Sequence, residues 1–507
     1  MFTSRKTLVR CGLIFFIAVN ILYFLYAAYF QYVWHDEVFV LLHLSGHTID
    51  ELTAVLFDGR IKSIGELKQF QGINLDRGFP DTLYSVYSGP NYDLPLYYSL
   101  LWILARIFGN SDLVLRGFSV LIWFGLLWAV YRLSFQLFKN QKIALLTAFL
   151  VFISPRFTGY ALGIWEYGLY AFIATLSSFL FLKALESSHS REYRDWLLYG
   201  LSIVAGLYTH VFFIFIFLFH ILYFFSNRDR FSELAKKYSS RIWLGSFLIY
   251  SIWLTRIFYR RVSVFSWSKG RWPWEKLIDR WITTFAGFFP DIPFIPTGVA
   301  SFTNYALVSL ILFSLFYLAR KTDRKISSFA LLLTGIPFLG LLILDIVLDF
   351  RYTVVGRFYL PSFIGISLAI AFLLSEGLQY YRIITSIALV LLTIFGLISR
   401  VPNPPEGNRF LGYGSNLPNA YPIINRSHKP LIIAESWLDG LPLIQVTDPN
   451  TEYLFWKPSI KISLPTLQTR FSDIFILTPS EKLKQEIERS DGRLKPTENT
   501  ALWRVEK

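Results

Sequence analysis

Eleven apolar runs recur through the first 400 residues, far more apolar length than one water-soluble core can bury. They lie at about residues 8–30, 116–138, 142–154, 165–184, 195–209, 211–226, 242–258, 302–319, 327–348, 357–377 and 383–399. Mean hydropathy is +0.44. Hydrophobic residues make up 54% of the chain and aromatic residues 18%, so lipid must be part of its solvent. The expectation is a mainly α, polytopic membrane helix bundle of about eleven spans.

Charge orients the bundle. The net charge of +14 is read as cytoplasmic loop charge and not as a nucleic-acid face. With the N-terminus inside, alternation puts Lys139 and Lys142, Arg191 and Arg194, Arg228 to Arg241, Arg320 to Lys325, and Arg382 on that one side. The first run follows Arg5, Lys6 and Arg10, exceeds a signal-peptide core and lacks a small-residue cleavage site, so it reads as a retained helix. Leu94 to Phe108 would reverse the loop charges if it crossed, and is expected to lie in the outer interface. Residues 195–226 read as two short crossings with a turn near His210. The only cysteine, Cys11, excludes disulfides within the chain and thiolate metal sites.

The expected organisation is a membrane domain over residues 1–400, with a long external loop from 31 to 115. A Pro- and Gly-rich linker over 401–428 then leads to a small extracytoplasmic α/β domain over 429–507. In that domain Leu431–Ala434, Asp473–Leu477 and Leu502–Val505 read as strands and Glu481–Arg489 as a helix.

Candidate chemistry gathers at outer helix ends. Asp36 and Glu37 follow the first run, and two adjacent acids there suit a general base or a divalent cation at Asp36; a solvated helix end is the plainer reading. Asp93 precedes the interfacial helix and Glu166 sits at the edge of the run from 165 to 184. His210 interrupts an apolar segment and is either a ligand or proton carrier or a hydrogen-bonded turn residue. Arg256, Arg260, Arg261, Lys269, Arg271, Lys276 and Arg280 are interleaved with Trp267, Trp272 and Trp274 on the external side, against the positive-inside rule. Such cations call for an anionic partner, a lipid phosphate or ordinary headgroups. Arg116 and Arg357 each begin a span and suit either a carboxylate or a phosphate.

The ordered set Asp36-Glu37, Asp93-Leu94-Pro95-Leu96-Tyr97-Tyr98, Phe108-Gly109-Asn110-Ser111-Asp112 with Leu115-Arg116, Leu207-Tyr208-Thr209-His210 and Arg357-Phe358-Tyr359-Leu360-Pro361 resembles the GT-C superfamily of polytopic glycosyltransferases. The nearest branch is family 39, that of protein O-mannosyltransferases and bacterial aminoarabinose transferases. The resemblance implies an enzyme of the bacterial plasma membrane that moves a sugar from a polyprenyl-phosphate lipid, with inversion, to a lipid, glycan or protein acceptor outside. It implies Asp36 as the catalytic acid-base residue with Glu37 beside it, and the charge pattern adds Arg256, Arg260, Arg261, Lys269, Arg271 and Arg357 as candidates for holding the donor phosphate; no cofactor is required, and a divalent metal is an open option. Two departures stand out. Asp93-Leu94-Pro95 replaces a Pro-Pro pattern, and the second external loop reads Tyr160 to Tyr167 as YALGIWEY, with tryptophan where the family has arginine. The competing reading is a transporter, flippase or non-catalytic binder of lipid-linked glycans.

Overall fold

A computed structural model describes residues 22–24, 26, 33–89, 93–187, 191–259, 268–289, 297–399, 420–499 and 501–506. Most of the run at 8–30, with Cys11, and most of the linker lie outside them. The other ten apolar runs are all helices. In chain order the principal helices are α1 (His35–Ser45), α2 (Ile49–Leu56), α3 (Phe79–Ser88), α4 (Pro95–Phe108), α5 (Asp112–Phe138), α6 (Gln141–Ile153), α7 (Pro155–Leu162), α8 (Tyr167–Leu185) and α9 (Glu192–Leu207). There follow α10 (Phe213–Ser226), α11 (Glu233–Tyr259), α12 (Trp274–Ala286), α13 (Thr297–Lys321), α14 (Arg324–Val347), α15 (Leu360–Tyr380) and α16 (Arg382–Ile398).

Among the described residues, five helices are long and apolar enough to cross a membrane: α5, α8, α13, α14 and the stretch Gly356–Tyr380 that includes α15. The run at 142–154 is not a straight span. Pro155 cannot continue α6, so α7 leaves it at 63°. Together they are long and apolar enough for a sixth, bent crossing or a re-entrant loop. Side chains start several spans where the sequence changes from polar to apolar: Ser111 accepts the Val114 N–H, Asn140 the Lys142 N–H and Asp323 the Ile326 N–H. Helix α15 is almost wholly enclosed by its neighbours. Helix α4 buries Tyr97, Tyr98, Leu101 and Ala105 while Ile103, Ile107 and Phe108 stay exposed.

The C-terminal segment builds a six-stranded sheet in the order β1-β3-β2-β4-β6-β5 from Lys62–Ser63, Pro430–Ala434, Glu452–Phe455, Asp473–Leu477, Arg493–Pro496 and Leu502–Glu506, numbered β1 to β6 along the chain. Strands β3, β2 and β4 are parallel, and the outer pairings are antiparallel. Strand β1 comes from the segment between α2 and α3. Ile432, Tyr453 and Phe455 share one apolar cluster with Leu42 and Leu52.

Candidate functional site

The site grows from the first turn of α1. Trp34 is extended, and Glu37, three residues on, turns back to accept its N–H at 2.8 Å. Glu37 and Arg116 are both fully buried, and they pair through Oε1 to Nη1 at 2.8 Å and Oε2 to Nη2 at 3.2 Å. Arg116 also donates to the Leu162 carbonyl at 2.7 Å, and the Ile164 N–H reaches Glu37 Oε1 at 2.7 Å. This two-pronged pair fastens α1 to α5 and to the end of α7. Both oxygens of Glu37 are engaged within this frame.

Asp36 turns the other way. Its Oδ2 lies 2.9 Å from Arg357 Nη2 and its Oδ1 3.0 Å from His35 Nε2. Burial alone would raise this carboxyl, but the Arg357 guanidinium and then His35 outweigh it and hold it at about 2. The Asp36 and Arg357 side chains keep 23% and 13% of their surface exposed, so the pair is open on one side. Arg357 sits in the turn Gly356–Tyr359, with its guanidinium over the Tyr167 ring at 5.1 Å. Asp345 shapes the chain just ahead of that turn by accepting the Tyr352 N–H, the Thr353 N–H and the Thr353 hydroxyl.

A second guanidinium stands beside the first. Arg156, on the first turn of α7, lies in a slot between Gly287 and Gly356, where a Cβ on either glycine would come within 2.9 Å of it. It donates to the Thr284 carbonyl at 3.3 Å and lies over Phe363, and Tyr160 is in electrostatic reach of both arginines. No carboxylate pairs with Arg156 among the described residues. The buried Nε of Arg156 and that of Arg357 have no acceptor. Sequence reasoning passed over Arg156, although a cation directly after Pro155 at an outer helix end breaks the positive-inside rule as the later cluster does.

Asp93 meets His43 Nε2 at 3.2 Å, and His43 Nδ1 meets Ser85 Oγ at 2.8 Å. Glu166 lies in electrostatic reach of Asp93, Asp36 and Arg357. His210 stacks on Tyr170 at 4.5 Å and accepts the Phe212 N–H on Nδ1 at 3.2 Å, within the turn between α9 and α10. The cationic run is dispersed. Lys269 and Arg271 are exposed on a hairpin against 349–350, with Arg271 over Trp274 at 4.9 Å. Arg256 lies in the last turn of α11, and Arg260 and Arg261 fall outside the described residues. Among the described residues no three His, Cys, Asp or Glu side chains gather as a metal site. Asp36 is engaged by a cation and a histidine instead.

The fold has known counterparts. ArnT from Cupriavidus metallidurans in the apo state superposes with a TM-score of 0.54 over 98% of both chains, at 11% identity. The same protein bound to undecaprenyl phosphate gives 0.51 over 97% of both, again at 11% identity. The chain has the GT-C fold. Residues 90–256, from just before α4 into α11, match the family model described as dolichyl-phosphate-mannose-protein mannosyltransferase. The Archaeoglobus fulgidus oligosaccharyltransferase in its apo form is more distant, at a TM-score of 0.42 over 72% of this chain and 56% of that one, with 14% identity. No curated protein matches the sequence. Asp36 and the two arginines of this GT-C chain come from three separate stretches, α1, α7 and the entry to α15, and residues 284–287 line the slot that holds Arg156.

Proposed function

We propose that the chain transfers a sugar from a polyprenyl-phosphate lipid to an acceptor on the external face of the membrane, with inversion at the anomeric carbon. The observation that carries this reading is the triad of Asp36, Arg357 and Arg156: one open carboxylate against two neighbouring guanidiniums with unspent buried donors. That ArnT was crystallised with undecaprenyl phosphate supports a polyprenyl carrier here too.

The resting ion pair leaves Asp36 a poor base, because Arg357 stabilises its charge. A donor phosphate binding between Arg156 and Arg357 competes for that same guanidinium. As Arg357 turns to the phosphate, Asp36 loses its main counter-charge and becomes more basic. It then takes the proton of the acceptor hydroxyl or amine while that atom bonds to the anomeric carbon. The carbon–oxygen bond to phosphate breaks, and the lipid phosphate leaves with its electron pair into the arginines, which stabilise the developing charge. The order matters: base strength rises only when a donor is present.

The test uses purified protein in nanodiscs with a panel of polyprenyl-phosphate sugars and mixed acceptors, following each donor by mass spectrometry. Consumption of one donor by the native chain and not by Asp36→Asn supports the assignment. Undiminished transfer by Asp36→Asn overturns Asp36 as the base. Binding of donors without turnover in any of them favours a transporter or binder.

A further inference from the structure

The parallel strands β2 and β4 end on the same side of the sheet, toward α1. Glu435, after β2, accepts both the N–H and the hydroxyl of Ser480, after β4, at 2.6 and 2.7 Å, which ties the two strand ends together. Between them runs α17 (Trp437–Gly440), and Trp437 meets Phe39 of α1 edge-on at 4.9 Å. Phe39 is one helical turn beyond His35, so both project from one face of α1. The helix that covers Phe39 thereby also brings Asp439 into electrostatic reach of His35. Asp439 is fixed from behind by the Thr478 hydroxyl at 3.3 Å. Thr478 holds a φ of +38°, a conformation that a β-branched residue rarely adopts, with its N–H on the Ala501 carbonyl. Burial pushes the Asp439 carboxyl up, against the Thr478 hydroxyl and the charge of His35, which favour its ionised form.

His35 in turn contacts Asp36 Oδ1 at 3.0 Å, on the oxygen that Arg357 does not engage. We propose that Asp439 is a positioning residue of the site, acting through His35 on Asp36, and that the C-terminal sheet is therefore part of the machinery. The inference rests on the glycosyltransferase reading for its effect on turnover, but not for the placement of Asp439 near His35. A carboxylate near the imidazole keeps the ring oriented when Arg357 moves to the phosphate, at the moment Asp36 most needs a second anchor. The docking is firm enough for this role. Strand β1 pairs Lys62 with Tyr453 and Ser63 with Glu452, and Gln71 Nε2 donates to the Leu441 carbonyl at 3.0 Å, directly after α17.

The experiment compares the native chain, Asp439→Asn, Asp439→Glu, His35→Gln and Asp439→Asn/His35→Gln in nanodiscs. The first readout needs no substrate: the rate at which diethyl pyrocarbonate modifies His35, by peptide mass spectrometry, relative to the exposed His428 of the C-terminal segment. A carboxylate near the ring restrains it by charge and limits its access to the reagent, so Asp439→Asn is expected to react about threefold faster at His35 and Asp439→Glu like the native chain. An unchanged ratio overturns the inference. The second readout is donor consumption. Asp439→Asn is expected to lower kcat about tenfold with the donor KM within about twofold, Asp439→Glu to recover most of it, and the double variant to be no worse than His35→Gln alone. Losses that simply multiply in the double variant overturn the coupling through His35. If the native chain consumes no donor, the glycosyltransferase reading falls, and the modification ratio still decides whether Asp439 acts on His35.

Discussion

Glu37 and Arg116 offer the sharpest test of the frame behind the site. Both side chains are fully buried, and Glu37 accepts four hydrogen bonds, two from Arg116 and one each from the Trp34 and Ile164 N–H groups. Replacing Arg116 by Met leaves a carboxylate out of water with only the two backbone donors. Replacing Glu37 by Gln leaves an enclosed guanidinium held by one carbonyl and an amide. Either change breaks a buried ion pair by half, at a cost of about 3–5 kcal/mol, or roughly a hundred- to several-thousand-fold in the ratio of folded to unfolded protein. The double variant Glu37→Gln/Arg116→Met removes both charges and strands neither, so it should lose clearly less than the sum of the single losses. The assay is SDS titration in mixed micelles, followed by tryptophan fluorescence. Single variants within about 0.5 kcal/mol of native, or a double variant that is strictly additive, would refute the claim that this pair fastens α1 to α5 and α7.

Other outcomes follow from the same geometry. Asp36→Asn should reduce turnover by about 10²- to 10⁴-fold while leaving undecaprenyl phosphate binding intact by native mass spectrometry. Arg156→Met should weaken that binding by about tenfold or more, since a charge-assisted contact is lost, and Arg156→Lys should recover only part of it because the slot fits a planar fork. The Asp36 carboxyl is lowered on folding, so its charge contributes about 2 kcal/mol above the ordinary aspartate range, and this contribution is lost as pH falls toward about 2. The stability gap between native and Asp36→Asn, measured across pH 7 to 3, should therefore be widest at neutral pH and narrow at the acid end. A gap that widens on acidification contradicts the pairing with Arg357.

The spans are legible in the sequence because hydropathy over some twenty residues is a strong and local signal. The start of α4 was readable in the same way, from Asp93 and Pro95. Helical period also carried information that adjacency hid. Neighbouring residues on a helix point about 100° apart, so Asp36 and Glu37 cannot both face one ligand, and the pattern permits only one of them at the open side. Counting cations on the 256–280 stretch gives charge without direction, and Lys269 and Arg271 stand exposed on a hairpin against 349–350. Arg156 stands alone in an apolar context and its slot is made by Gly287 and Gly356, distant in sequence, so only its breach of the charge rule could have flagged it. The two-residue strand β1 has no local signature at all. Its existence depends on an edge supplied from the far end of the chain.

That edge sets a schedule for synthesis. Lys62 waits for Tyr453, 391 residues later, and at about 5–20 residues per second the delay is roughly 20 to 80 s. All the helices through α16 have been made by then, while Lys62 and Ser63 still lack the strand they pair with. A chain released early therefore carries its spanning helices and still lacks the sheet that closes over the segment between α2 and α3.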